Sequence, residues 1–303
     1  MDFSDRIIVG YDGSDQSAMA LRWAARLAAA GDRELAIIHA WVYPLITKDL
    51  GPTKGISGSG HRNVALKLLE DALAIAEQAA PGVRARTVLI TGRPRTVLEA
   101  ASRTALLMVV GSRGLGGFFG MLLGSVSLGL ITHAGCPVIV VRENEEPHGP
   151  VVVGVDGSEP SLDAIDAGVR IAQALGEGPE LLHVRRTVEG QVLEGDGAER
   201  IVEEATARAH ASDPQLEVTS RMVEEGNEAD ALLRASAEAG ILVLGYQGSD
   251  RRRFGSTVHA VVHHAQCTTV VCRHEYQGAD PDTEQLAVEV DDADDVDGGS
   301  ARA

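Results

Sequence analysis

Residues 7–14 read IIVGYDGS and residues 151–158 read VVVGVDGS, an offset of 144 positions. The same offset carries His39 of AIIHAW onto His183 of ELLHVR, so a strand, a helix and a second strand keep their lengths in both copies. Further along, Gly111 of LLMVVGSRG matches Gly245 of LVLGYQG at an offset of 134, which places a ten-residue loss in the Pro- and Gly-rich stretch 44–60. HAGCPVIVVR (133–142) then matches HAQCTTVVCR (264–273) at an offset of 131. Four blocks kept in order make this an internal duplication, and the duplication decides the architecture.

Within the first copy, Ile7–Val9, Leu35–Ile38, Arg86–Ile90, Leu106–Val110 and Val138–Val141 are nearly continuous apolar runs, as strands covered on both faces should be. Between them Ser17–Ala30, Asn63–Ala79 and Thr96–Arg103 are rich in Ala and Leu at helical spacing, with Pro94 suited to a first helical turn. Strand and helix in alternation mean parallel strands with right-handed crossovers. Each copy therefore reads as one doubly wound α/β domain with a five-stranded parallel sheet. The boundaries fall at residues 1–146 for the first domain and 147–276 for the second, joined across the charged, Pro-containing stretch Glu143–Pro150. A lone parallel sheet exposes its edges, so the two halves are expected to pack as an intramolecular pseudo-dimer through their final strands, VIVVR and TVVCR. A further homodimer is compatible with that arrangement.

The 303 residues carry 27 Lys and Arg against 44 Asp and Glu, a net charge of −17, which argues against nucleic acid or an anionic membrane as partner. The charge is unevenly placed. Residues 1–146 hold 15 basic and 14 acidic side chains, residues 147–276 hold 11 and 21, and residues 277–303 hold 1 and 9. The last stretch is too polar to offset its ordering entropy and reads as an acidic disordered tail. No signal-like or membrane-spanning apolar segment occurs, and Cys136, Cys267 and Cys272 have no metal or disulfide spacing. A cytoplasmic location fits, with Cys136 and Cys267 as small buried hydrophobes.

Two motifs lie where ligands of such sheets sit, beyond the carboxyl ends of the strands. One is Gly10-Tyr11-Asp12-Gly13-Ser14, in which Asp12 either accepts hydrogen bonds from a base or ribose or serves, with Ser14, as turn and helix cap. The other is Gly111-Ser-Arg-Gly114, nine residues, then Gly124-Ser125 opening SVSLGLITHA. Glycines there allow positive φ and close approach to a phosphate, and a helix start offers N–H donors. Ser125 reads as cap or phosphate donor, and Gly135 as the helix stop.

These motifs together resemble the tandem form of the universal stress protein family, over about residues 5–275. Gly111, Gly114, Gly124 and Ser125 match its signature G-x2-G-x9-G-[ST] in full. The resemblance implies an adenine nucleotide alpha hydrolase-like fold and an ATP site, with or without Mg2+. In that site Asp12 and the backbone of Ala40 face the adenosine, and Gly111, Gly114, Gly124, Ser125 and Val126 surround ribose and phosphates. The second copy keeps Asp156, Gly245, Gly248, Gly255 and Ser256 as a possible second site, yet only SDRRRF separates Gly248 from Gly255. A loop shortened by three residues cannot follow the same path, and Arg251–Arg253 read more simply as a solvated turn than as phosphate ligands.

Other chemistries find less support. No Lys follows a Gly in G-x4-G-K-[ST], Phe119 stands where a dinucleotide fingerprint needs its last Gly, and no G-x-S-x-G elbow surrounds Ser14, Ser125 or Ser158. His259 and His263 have i,i+4 spacing but lack an H-E-x-x-H context. The resemblance implies a stress-response regulator whose nucleotide state alters its contacts with an unknown protein partner. Rival readings are a slow ATP hydrolase or self-phosphorylating protein, and a nucleotide-independent interaction scaffold.

Overall fold

The computed structural model describes residues 3, 5–41, 59–115, 123–142, 149–188, 191–192, 197–246 and 255–273. Most of the join, residues 143–148, lies outside them, as do Gly248, Arg251–Arg253, Phe119 and the tail. The first domain runs β1 (Arg6–Gly10), α1 (Asp15–Ala30), β2 (Glu34–Trp41), α2 (Ser59–Ala79), β3 (Ala85–Thr91), α3 (Pro94–Ser102), β4 (Leu107–Gly111), α4 (Ser125–His133) and β5 (Val138–Val141). The second runs β6 (Val151–Gly154), α5 (Glu159–Leu175), β7 (Pro179–Val188), the two-residue β8 (Gln191–Val192), α6 (Ala198–Ser212), β9 (Thr219–Glu225), α7 (Glu228–Ser236), β10 (Ile241–Gly245), α8 (Ser256–His264) and β11 (Thr268–Cys272).

Both domains have five parallel strands in the same order, β3-β2-β1-β4-β5 and β9-β7-β6-β10-β11. The duplication extends to the register. Ile7 pairs with Leu35 and Leu107, while its equivalent Val151 pairs with Pro179 and Ile241, which are those same partners carried by the sequence offsets. β8 is an addition, pairing antiparallel with the end of β7.

The two sheets meet at their final strands. β5 and β11 pair antiparallel with Val138 opposite Val271, Ile139 opposite Val270 and Val140 opposite Thr269, which makes one continuous eleven-stranded sheet. These are the strands that edge satisfaction singled out in the sequence. Every residue of β5 and β11 is buried. On one face α1 packs on α5 over a core continuous across both domains, from Ile7 and Val9 to Val153 and Val270. On the other face the first-domain cluster around Ile8, Met108 and Leu130 takes in Val258 and Val262 of α8. Cys136, Cys267 and Cys272 are buried, and desolvation pushes the thiol of Cys136 up to about 12 and that of Cys267 up to about 11.

Several local expectations need correction. Ser125 is the first residue of α4 and not its cap; Gly124 takes the N-cap position, with no side-chain bond to the helix. The C-cap of α4 is Ala134, and Gly135 instead lets the chain pass close to Arg103, where its N–H donates to Ser102 Oγ at 2.9 Å. Pro94 does begin α3. α1 and α2 start earlier than the apolar spacing indicates, because Ser14 caps α1 ahead of its first apolar residue.

Candidate functional site

Between β1 and β4 the chain order reverses, because β2 and β3 build outward on one side of β1 while β4 and β5 build on the other. In sheets of this kind such a switch point splays the loops that follow the two strands and leaves a crevice. A cavity of about 620 Å³ occupies it, a size typical of small-molecule sites. Asp12, Ala40, Gly111, Gly114, Gly124, Ser125 and Val126 all line it. These residues come from four separate parts of the chain, so the fold brings together the whole first-domain set named from the sequence.

Asp12 occupies the turn between β1 and α1. Its Oδ1 accepts from the Ser14 hydroxyl at 2.6 Å and the Ser14 N–H at 3.0 Å, while Ser14 Oγ accepts from the Ser17 N–H and caps α1. Gly13 closes this turn with φ +84°, and Gly157 does the same in the second copy with φ +77°. The turn-and-cap role is therefore present. It does not exhaust the carboxylate, because Oδ2 reaches across the cavity mouth and accepts from the Leu115 N–H at 2.9 Å. Burial disfavours the charge on Asp12, but the bonds from Ser14, Leu115 and Ser17 outweigh it and hold the carboxyl below its ordinary range.

None of the three signature glycines adopts positive φ, and Gly111 and Gly114 act through close approach. A Cβ on Gly111 would lie 2.7 Å from the carbonyl oxygen of Gln16, and one on Gly114 would lie 2.5 Å from Asp12 Oδ2. The segment after β4 thus runs against the start of α1 with no room for a side chain. Further bonds hold it there. Ser127 Oγ donates to the Gly111 carbonyl at 2.8 Å, the Ser112 hydroxyl donates to Gln16 Oε1 at 3.0 Å, and the Gly124 N–H donates to the Ser112 carbonyl at 2.8 Å. Beyond them the first turn of α4 faces the cavity with no acidic residue, leaving its N–H groups and the positive end of its dipole available to an anion.

Sequence reasoning missed several residues of this site. His39 lines the cavity and its Nδ1 donates to the Tyr11 carbonyl at 2.8 Å; His183 makes the matching bond to the Val155 carbonyl at 2.8 Å. Its recurrence at the repeat offset was the available signal. Ser127 and Gln16 carry no motif, and only the folded contact with Gly111 and Ser112 reveals them.

The second domain repeats the framework with different contents. Asp156 holds Ser158 as Asp12 holds Ser14, Gly245 passes equally close to Pro160, and Gly255 is the N-cap before Ser256. Gly248 falls outside the described residues. Where the first domain pairs Ser112 with Gln16, the second has Tyr246 and Pro160, and Ser127 is replaced by Val258. His259 and His263 of α8 lie with ring centroids 4.4 Å apart, and no group of three metal-ligating side chains occurs among the described residues.

The universal stress protein family matches this chain twice, over residues 4–142 and 148–273. The chain belongs to that family. Each domain has the adenine nucleotide alpha hydrolase-like arrangement. Among universal stress proteins of known sequence, Rv2623 of Mycobacterium tuberculosis (strain ATCC 25618 / H37Rv) is 33% identical over 261 residues, covering 80% of this chain and 86% of its own. Rv2005c of the same organism is 30% identical over 287 residues, covering 88% of this chain and 96% of its own. Among solved structures, a universal stress protein from Archaeoglobus fulgidus DSM 4304 superposes with a TM-score of 0.68 at 21% identity, covering 89% of this chain and 98% of its own. Among the described residues no helix is long and apolar enough to cross a membrane.

Proposed function

We propose that the first-domain cavity binds an adenine nucleotide, ATP with or without Mg2+, and that this makes the chain a cytoplasmic stress-response regulator whose nucleotide state alters contacts with a protein partner. The observation that carries the reading is the convergence of the complete family signature, with Asp12 and Ala40, on one cavity of about 620 Å³. In this reading Asp12 and the Ala40 backbone meet the adenosine. The N–H groups of Gly111–Gly114 and of the first turn of α4 meet the phosphates, with the Ser125 hydroxyl as an added donor. Among the described lining residues Asp12 is the single carboxylate, and it is already engaged by Ser14 and Leu115, which favours binding and sensing over turnover.

The second domain is the weaker binder in this proposal. Its loop is three residues shorter, its half of the chain is more acidic, and Tyr246 and Val258 stand where Ser112 and Ser127 support the first-domain loop. Calorimetric titration with ATP, and with cyclic AMP for comparison, tests this, beginning with identification by mass of any nucleotide that copurifies. One site per chain is expected. Gly124→Val should weaken it by about 2 kcal/mol or more, roughly thirty-fold, by occupying the approach to α4. Folding should tolerate the change, because the nearest atoms to a Cβ there are 3.5 Å away and the backbone is extended at φ −75°. Gly255→Val should leave binding unchanged. Two equal sites in the parent protein, or an unaffected Gly124→Val, would refute the assignment.

A further inference from the structure

Each final strand is followed by an arginine, Arg142 after β5 and Arg273 after β11. Because those strands run antiparallel at the centre of the sheet, each arginine emerges against the opposite domain. Arg142 donates to the Val262 carbonyl in the last turn of α8, and Arg273 donates to the Thr132 carbonyl in the last turn of α4. The capping N–H groups of Ala134 and Ala265 take the Leu130 and Val261 carbonyls, so the next carbonyls along belong to the set a helix leaves without an internal partner. A guanidinium there meets both an open acceptor and the negative end of the helix dipole.

The symmetry ends at the next contact. The Arg273 guanidinium lies over the ring of Tyr246, 4.9 Å from its centroid, and Tyr246 packs against the core cluster in which Val258, Val262 and Val271 join first-domain residues. Tyr246 directly follows Gly245 at the head of the second-domain loop, and its N–H donates to the Cys272 carbonyl at 2.7 Å. Its first-domain equivalent, Ser112, makes the matching backbone bond to the Val141 carbonyl at 3.1 Å, but its hydroxyl is turned to Gln16. Arg273 therefore connects Tyr246, at the head of one domain's loop, to the helix of the other domain. That helix, α4, has nine residues and is about 13 Å long, with its far end lining the cavity.

We propose that Arg273 is a positioning residue for the first-domain site, setting α4 from its C-terminal end and tying it to Tyr246, so that the second domain controls nucleotide affinity in the first. This rests on the reading of the cavity given above. A phosphate at the N-terminus of α4 and a cation at its C-terminus interact favourably with the same dipole, and a nine-residue helix transmits a shift of one end to the other.

The test compares Arg273→Ala, Arg273→Lys and Arg142→Ala in the full chain, by ATP titration and by amide hydrogen exchange. Arg273→Ala should weaken ATP binding about five-fold, which is ~1 kcal/mol at 25 °C, and speed exchange in the last turn of α4. Arg142→Ala loses the matching helix anchor and should speed exchange in α8 while ATP affinity stays within about two-fold. Arg273→Lys keeps a cation at the Thr132 carbonyl and should recover most of the affinity. Equal losses in both alanine variants would reduce Arg273 to a general stabiliser and overturn the proposal, as would normal ATP binding by Arg273→Ala. A parent protein that binds no adenine nucleotide overturns the reading of the cavity and this control with it. Failure of the anchor alone shows instead as normal parent binding with no difference between the arginine variants.

Discussion

Replacing Gly114 with Ala isolates the bond that closes the cavity mouth. The new Cβ would lie 2.5 Å from Asp12 Oδ2, so the carboxylate must withdraw by something on the order of 1 Å to restore an ordinary contact. Gly114 has no positive φ, and among the described residues Asp12 supplies the atoms within 4 Å of that Cβ, so the backbone adds no penalty of its own. What is lost is the 2.9 Å bond from the Leu115 N–H to Oδ2. A bond to a charged acceptor at a partly exposed site is worth about 1–2 kcal/mol, which is the expected loss in unfolding free energy at pH 7. Denaturant unfolding of the parent, Gly114→Ala, Asp12→Ala and the double variant gives the coupling directly. In the Asp12→Ala background the Gly114 change should cost less than about 0.5 kcal/mol. The pH dependence has a fixed sign. Asp12 is held below its ordinary value in the folded state, so its contribution is present above the unfolded value of about 4 and fades as the pH falls through the folded value. The Gly114→Ala penalty should shrink over that same acid range. Equal penalties with and without Asp12, or a penalty unchanged in acid, would show that Gly114 acts through something other than the carboxylate.

Thr269→Val should raise stability by about 1 kcal/mol in the same unfolding assay, because the Thr269 hydroxyl is fully buried opposite Val140 and has no hydrogen-bond partner among the described residues; a loss of stability would mean that the hydroxyl has a partner. Residues 1–146 expressed alone should self-associate in sedimentation, since separation from β11 bares the edge of β5 and apolar side chains worth roughly 1.5–3 kcal/mol each when buried. A stable monomer would contradict the role given to that joint.

Much of this architecture was legible because the chain states it twice. The offsets between IIVGYDGS and VVVGVDGS, and between the two glycine loops, reappear as the register of β1 and β6 with their neighbours. The strands of the sheet interior announced themselves as apolar runs because helices cover both their faces. β9 did not. It lies at the sheet edge, its residues range from half-buried to exposed, and TSRMVEE has no apolar continuity for a reader to find. In the site, residues fixed by backbone geometry or by a local turn were readable, and Ser127 and Gln16, fixed by side-chain bonds to distant parts of the chain, were not. Gly111 and Gly114 are glycine because no Cβ fits beside Gln16 and Asp12, a constraint that leaves a spacing in the sequence. The bonds from Ser127 to Gly111 and from Ser112 to Gln16 span 16 and 96 positions and leave no such trace.

The differences between the copies fall together at particular contacts, and the covalent join gives the reason. In a two-fold homodimer any change appears twice, so a residue improved for the interface must also serve in both ligand loops. A tandem chain is free of that constraint. Ser112 and Gln16 hydrogen-bond to each other in the first domain, and their equivalents Tyr246 and Pro160 have changed as a pair. Pro160 stands where Gln16 would accept a hydroxyl, and Tyr246 packs beneath Arg273 against the core cluster shared by the two domains. Ser127, which steadies the first-domain loop through Gly111, has become Val258, a side chain that joins the first-domain core cluster. At both positions a small polar side chain that supports a loop in one copy has been exchanged for a larger one whose apolar surface packs at the joint in the other. If that division holds, Tyr246→Ser should loosen the contact between the domains without restoring a second nucleotide site, because the shortened loop and Pro160 would remain.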